Sequence, residues 1–206
     1  MSERFGFAPL VGRSSEMRDL HRVIVQSRPP VFLISGASGV GKTAIADRFA
    51  ASIREGRTDI GEVWFNSLYR SSWTSALADM RRRLAGVPQN ATLEEIETLI
   101  VAACRSKPML IILDNVDSGN VQEVTDFARR WCAQPHRSTL LITAQPQVAQ
   151  QITVPLPSLT LSGIQSSAAT LEILGDLNER FPERLLLDVA AMVEFIPQKL
   201  DRKSVV

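Results

Sequence analysis

Cysteine is nearly absent from this sequence: Cys104 and Cys132 are the only two in 206 residues. They do not pair as Cys-x-x-Cys or belong to a four-ligand Cys/His pattern, which argues against a zinc site. Two scattered thiols suit a reducing compartment. Long hydrophobic runs are missing as well. No stretch approaches the roughly 20 apolar residues of a membrane span, and the opening Met-Ser-Glu-Arg-Phe carries no apolar signal core. The expectation is a cytoplasmic protein without a membrane partner. There is also no excess of charge of one sign, because 23 basic and 22 acidic residues leave a net charge of +1. That balance gives no direct reason to expect nucleic acid. The densest basic run, Arg81-Arg82-Arg83, reads as a solvated helix face. Histidine is equally scarce. His21 and His136 stand alone, with no Ser or Cys at a recognisable site, and read as structural. Internal repeats and low-complexity segments are absent.

What is present is a core. Hydrophobic residues make up 45% of the chain, enough for one globular domain, or for a core with a small appendage. Val31–Ser35, Glu62–Asn66, Met109–Leu113 and Thr139–Thr143 read as strands, and Ile152–Val154 as a short last one. Helical patterns alternate with them. Ser14 or Ser15 is positioned to cap a helix that places Met17, Leu20 and Ile24 on one face. Others are expected at Lys42–Arg54 and Thr74–Leu84. Thr92 and Glu95 form a capping box before a helix burying Leu93, Ile96, Ile100 and Cys104. Val121, Val124, Ala128 and Trp131 line the face of another. Trp64, Trp73 and Trp131 suit the core. Beyond Val154 only helices are expected, one behind a capping box at Ser162 and Gln165, one opened by Pro182. Apolar strands alternating with helices predict an α/β fold with a parallel sheet covered on both faces. The expected division is a core over residues 1–155 and a small helical subdomain over 156–206.

Gly36-Ala37-Ser38-Gly39-Val40-Gly41-Lys42-Thr43 matches the G-x-x-x-x-G-K-[ST] pattern, between an apolar strand and a helix. Glycines there let backbone N–H groups turn toward phosphate oxygens, and the helix presents its positive end to the same anion. Lys42 is a mobile charge for the β- and γ-phosphates, and the Thr43 hydroxyl can ligate Mg²⁺. The nucleotide-contacting set runs from Gly36 through Ala44, with ATP or ADP and Mg²⁺ as the cofactors. Leu110-Ile111-Ile112-Leu113-Asp114 is an apolar strand ending in a carboxylate that can hold the same Mg²⁺. Asp117 suits a helix cap better. A whole strand, Glu62–Asn66, lies between the loop and the Asp114 strand. That is the arrangement of the ATPase branch of P-loop proteins, whose five-stranded sheet runs 5-1-4-3-2. GTP is disfavoured, since Asp114-Asn115-Val116-Asp117 lacks the glycine of Asp-x-x-Gly and no guanine-reading motif follows a strand.

With these motifs in order, the chain resembles the STAND class of signalling ATPases, in particular the NB-ARC domains of apoptosome proteins, plant immune receptors and bacterial regulators. Val11-Gly12-Arg13, with Glu16 after it, is similar to the family's Val-Gly-Arg element, which packs near the adenine. Leu110 through Val116 is similar to its Leu-Leu-Val-Leu-Asp-Asp-Val strand. Ser138 through Gln145 resembles the strand ending in Thr-Thr-Arg, a γ-phosphate sensor. Phe195-Ile196-Pro197 resembles Gly-Leu-Pro, whose proline touches adenine. The resemblance implies an ADP-held switch that opens and assembles head-to-tail with ATP, and effector and sensor domains outside this chain. It makes Lys42, Asp114 and Asn115 the candidate catalytic residues. Three positions depart from the family: Asn115 replaces an acid, Gln145 replaces the sensor arginine, and Phe195 replaces the glycine. A neutral amide at 115 cannot take a proton from water, so the resemblance implies slow hydrolysis. The alternatives are an AAA+-type motor or clamp, with Arg129 or Arg130 as finger, and a scaffold that holds ADP without turnover. A small-molecule kinase would need an arginine-rich lid that is not evident.

Overall fold

The structure, a computed structural model, describes residues 12–163 except positions 57 and 89. Five strands form one sheet: β1 (Val31–Gly36), β2 (Glu62–Ser67), β3 (Met109–Val116), β4 (Thr139–Ala144) and β5 (Ser158–Leu161). Their spatial order is β2-β3-β4-β1-β5, which read from the other edge is the expected 5-1-4-3-2. All pairings are parallel, so each connection must cross a face of the sheet.

Both faces are apolar because both are covered. Along β1, Phe32 and Ile34 join one core layer while Val31 and Leu33 join the other. The first layer is supplied by α1 (Ser14–Leu20), its π-helical continuation His21–Ser27, and α2 (Lys42–Glu55). These bring Leu20, Ile24, Ile45 and Phe49 to the sheet. The second layer is α3 (Trp73–Arg81), α4 (Leu93–Ser106) and α5 (Val121–Cys132). Trp64, Trp73, Ile100, Phe127 and Trp131 fill it, each worth about 1.5–3 kcal/mol if fully buried. His21 packs edge-on against Phe49 and bonds Ser52, and His136 caps Trp131. Neither stands near the phosphate loop.

Several element ends differ from the sequence expectation. Arg13, not Ser14 or Ser15, occupies the N-cap position of α1, with no side-chain cap; Ser15 hydroxyl turns instead to Glu16. Helix α3 stops at Arg81, and the chain closes in tight turns, Arg83 N–H on Met80 O and Leu84 N–H on Arg81 O. The basic run then lies at the surface, Arg81 on the Pro88 carbonyl, Arg82 on Asp79 and Arg83 over the Trp64 ring. Leu93 is 43% exposed although it shares a face of α4 with Ile96 and Ile100; it is the first residue of the helix. Glu97 is buried on the same face, accepting from Trp73 Nε1 at 2.9 Å and pairing with Arg130. Ile152–Val154 is not a strand; Ile152 and Val154 are buried loop residues packed on the α3–α5 layer. The last strand among the described residues is β5, beyond residue 155. The helices expected after Ser162 lie outside the described residues. No helix among those described is long and apolar enough to cross a membrane.

The capping box forms as read: Glu95 N–H donates to Thr92 Oγ1 at 3.2 Å and Thr92 N–H to Glu95 Oε2 at 2.7 Å. Thr92→Ala is expected to cost about 1 kcal/mol. A lowered urea midpoint with an unchanged slope would report it.

Candidate nucleotide-binding site

The carboxyl ends of β1, β3, β4 and β5 meet at one edge of the sheet, the edge where open α/β sheets bind ligands. The loop Gly36–Thr43 leaves β1 there and enters α2. Gly36 is required by close approach: a Cβ would lie 2.8 Å from Leu161 O and 2.9 Å from Val40 Cγ1. Gly41, the N-cap of α2, has φ +101°, a left-handed backbone that favours glycine. Between them Val40 plugs into the core, 2% exposed, while Ala37 and Ser38 stay open to solvent. The loop is therefore pinned at its back and free at its rim.

Lys42 is buried, and its Nζ donates to Gly36 O at 2.9 Å and Ala37 O at 2.8 Å. Burial lowers its pKa, while the nearby Asp114 carboxylate pulls it back up. Thr43 Oγ1 lies 3.0 Å from both oxygens of Asp114. Thr143 Oγ1 donates to Asp114 Oδ1 at 2.7 Å. Asp114 is 2% exposed. Burial raises its pKa; the hydroxyls of Thr143 and Thr43 and the Lys42 charge oppose that, and Asp47 on α2 adds to it.

The local backbone explains how Asp114 and Asn115 both reach this edge. The β3–β4 register shifts between Leu113 and Val116, and Asn115 adopts φ +62°. Asn is among the few non-glycine residues that tolerate this region. Such a bulge re-aims side chains that a regular strand would send to opposite faces. Asn115 N–H donates to Thr143 Oγ1 at 2.8 Å, fixing the bulge to β4. Thr143 thus serves both residues, a role the sequence reading did not single out. Its signal was a hydroxyl inside the buried apolar run Thr-Leu-Leu-Ile-Thr-Ala. Asp117 accepts from Gly119 N–H and stabilises a turn; Asn120 is the N-cap residue of α5.

Other expected site residues fall as follows. Gly12 and Arg13 precede α1. Arg13 is buried, and its guanidinium donates to Glu16 at 2.6 Å, to Val40 O at 3.1 Å and to Ser162 O at 2.5 Å. Gln145 is exposed and N-caps α6 (Pro146–Ala149), one residue past the Ala144 that pairs with Ser35. Ala44 lies in the first turn of α2. Val11 and Pro197 lie outside the described residues. A carboxylate and a hydroxyl converging beside a phosphate-shaped loop is an all-oxygen donor set, which fits a hard divalent cation such as Mg²⁺. A cavity of about 450 Å³ lined by Arg105, Lys107 and His136 opens at the opposite edge, where β3 and β4 begin. Its cations are paired with other side chains, Lys107 with Glu62, Arg105 with Gln134 and Arg137 with Asp59.

Residues 9–142 match the family described as the AAA ATPase domain. The chain belongs to that family. Solved structures agree on the P-loop ATPase fold. Cdc6p from Pyrobaculum aerophilum is 16% identical with a TM-score of 0.65, covering 87% of this chain and 52% of its own. The Drosophila ORC bound to DNA is 17% identical with a TM-score of 0.66, covering 91% and 52%. A signal transduction ATPase with numerous domains, carrying a tetratricopeptide repeat sensor, from Pyrococcus horikoshii is 13% identical with a TM-score of 0.59, covering 91% and 28%. This AAA ATPase domain therefore spans about half the length of the first two and less of the third.

Proposed function

We propose that this AAA ATPase domain is a slow nucleotide switch: it binds ATP or ADP with Mg²⁺ and serves as the nucleotide-binding module of a STAND-type, NB-ARC-like signalling ATPase. The observation that carries the reading is Asn115, an amide at the strand end beside Asp114. The Mg²⁺–nucleotide supplies the electrophilic phosphate, with its charge partly neutralised by the metal. Thr43 and Asp114 would hold the metal. Lys42 is free to leave the Gly36 and Ala37 carbonyls for phosphate oxygens, and the N–H groups of the loop and of the start of α2 face the same anion. Asn115 orients a water but cannot accept its proton. Gln145 brings no charge to the far phosphate, where an arginine would. Binding is thereby favoured over turnover.

A switch needs differential affinity between two states. By resemblance, ADP holds a closed form and ATP an open one that associates head-to-tail with copies of itself. Effector and sensor domains would lie outside this chain. Light scattering with ADP and with a non-hydrolysable ATP analogue tests the assembly; equal sizes would remove that part of the reading. The family match supports an AAA-type motor or clamp as well. Arg129 pairs with Asp126 and Thr153 and Arg130 with Glu97 of the same chain, but both are half-exposed, and surface pairs worth about 0–1 kcal/mol leave either able to turn to a neighbour as a finger.

The deciding experiment is to denature purified protein and identify what it releases. Stoichiometric ADP supports the switch. An empty protein that turns over added ATP quickly, faster at higher protein concentration, supports the motor. Asn115→Asp is expected to raise phosphate release about tenfold, toward the lower range of a positioned general base. No rise would mean that another element, Gln145 first, limits hydrolysis.

A further inference from the structure

The Val-Gly-Arg resemblance implied that Arg13 belongs to an element packed near the adenine. Its observed partners indicate a different task. The side chain is buried, and three of its N–H groups are spent on protein oxygens: a Glu16 carboxylate oxygen, the Val40 carbonyl and the Ser162 carbonyl. Those partners belong to three separate pieces of chain. Glu16 lies in the first turn of α1, Val40 is in the phosphate loop, and Ser162 directly follows β5. Burial pushes the Glu16 carboxyl up, but hydrogen bonds from Ser15 and Arg13 outweigh it and hold the pKa below its ordinary value. Glu16 is thus an ionised anchor for the guanidinium.

The Val40 carbonyl belongs to the same peptide unit as the Gly41 N–H. In a trans peptide the two point in opposite directions, and the chain has no cis bonds among the described residues. Arg13 holds the carbonyl from behind the loop, so the Gly41 N–H is turned away from the guanidinium. On the other side of the peptide unit the Val40 side chain is fixed in the core against Leu161. Rotation of this peptide, which Gly41 would otherwise allow, is restrained by these two contacts.

We infer that Arg13 is a positioning residue for the phosphate loop: it clamps the Val40–Gly41 peptide so that the Gly41 N–H is presented to the polyphosphate of the ligand, and it does not read the base. The inference rests on the nucleotide-binding reading of the loop and adds the ligand moiety that this residue serves.

A base-free ligand separates the two roles. Calorimetric titrations with MgATP and with magnesium tripolyphosphate are made on the wild type and on Arg13→Gln, Arg13→Lys and Glu16→Gln. A clamp predicts that Arg13→Gln weakens both ligands by the same factor, about tenfold, the scale of one lost charge-assisted hydrogen bond. Arg13→Lys recovers part of the loss in both, because an ammonium keeps the charge but has one nitrogen where the guanidinium uses two, one on Glu16 and one on the Val40 and Ser162 carbonyls. Glu16→Gln gives a smaller parallel loss and keeps Arg13 itself, so it carries the test if Arg13→Gln does not fold. Weakened ATP binding with unchanged tripolyphosphate binding would assign Arg13 to the nucleoside and overturn the inference. Unchanged affinity for both ligands in folded variants would overturn it too. A wild type that takes neither ligand would remove the nucleotide reading itself, a result distinct from any difference between variants.

Discussion

Lys42→Ala is expected to weaken ATP binding by about a hundredfold or more, while the ligand-free protein melts no lower than the wild type. The first half follows from charge. An ammonium donating to two phosphate oxygens makes hydrogen bonds of about 1.5–3 kcal/mol each, and alanine replaces neither. The second half follows from burial. Lys42 is 7% exposed, and its pKa is lowered mainly because the charged form loses water, with Asp114 only partly compensating. The unfolded chain therefore binds this proton more readily than the folded one. Stability consequently rises with pH between the depressed folded value and the ordinary lysine range near 10.4. At neutral pH the charge costs stability, and its removal offsets the two lost contacts to Gly36 and Ala37. Calorimetry for affinity and thermal melts without ligand check the two halves. A variant that binds ATP as well as the wild type would sink the phosphate-loop reading, and one that binds poorly because it has unfolded would sink the stability argument.

Asp114→Asn is expected to abolish the Mg²⁺ dependence of nucleotide binding and to reduce hydrolysis by about a hundredfold or more, the scale on which one preorganised electrostatic element acts. The same change is expected to stabilise the empty protein. Burial raises the Asp114 pKa, so the folded state binds this proton more readily than the unfolded state. The stability it contributes is complete below the ordinary carboxylate value of about 3.9 and is lost as pH rises through the raised folded value. An amide keeps an acceptor for the Thr43 and Thr143 hydroxyls without the buried charge. Melts of wild type and variant taken upward from the ordinary carboxylate value of about 3.9 should show the wild type losing stability relative to the variant as pH rises. Parallel curves would mean that Asp114 is not the titrating group. A nucleotide affinity that still depends on Mg²⁺ in the variant would place the metal elsewhere.

The parts of this fold that were legible in the sequence are those where one local cause acts. Val31–Gly36, Met109–Val116 and Thr139–Ala144 are apolar on both sides because helices cover both faces. Thr92 and Glu95 announce a helix start by chemistry that needs no tertiary partner. The phosphate loop is written in glycines whose positions geometry requires. What was not legible depended on distant contacts. Ile152 and Val154 are apolar because loop side chains cover the α3–α5 layer, and burial alone does not distinguish a loop from a strand. The pattern of β5, Ser-Leu-Thr-Leu, is the alternation of an edge strand and carried too little apolar signal. Glu97 is buried in the core face of α4 because its partners Trp73 and Arg130, which lie 24 and 33 residues away in sequence, reach it there. In the site, Asp114 and Thr43 could be paired from motif alone. Thr143 could not, because its double duty arises from a bulge on the neighbouring strand.

That bulge also constrains how this protein could change. A residue at position 115 must accept φ +62°, and asparagine, aspartate and glycine are the side chains that do so at least cost. Of these only aspartate could take up a proton. Glutamate, with its longer reach, would meet the backbone cost first. Asparagine and aspartate differ by one amide group in place of one carboxylate oxygen, in the same shape and on the same backbone. A side chain that can only orient a water and one that can take its proton are therefore neighbours in sequence space at this position, one base change apart, and a lineage can pass between them without rebuilding the strand.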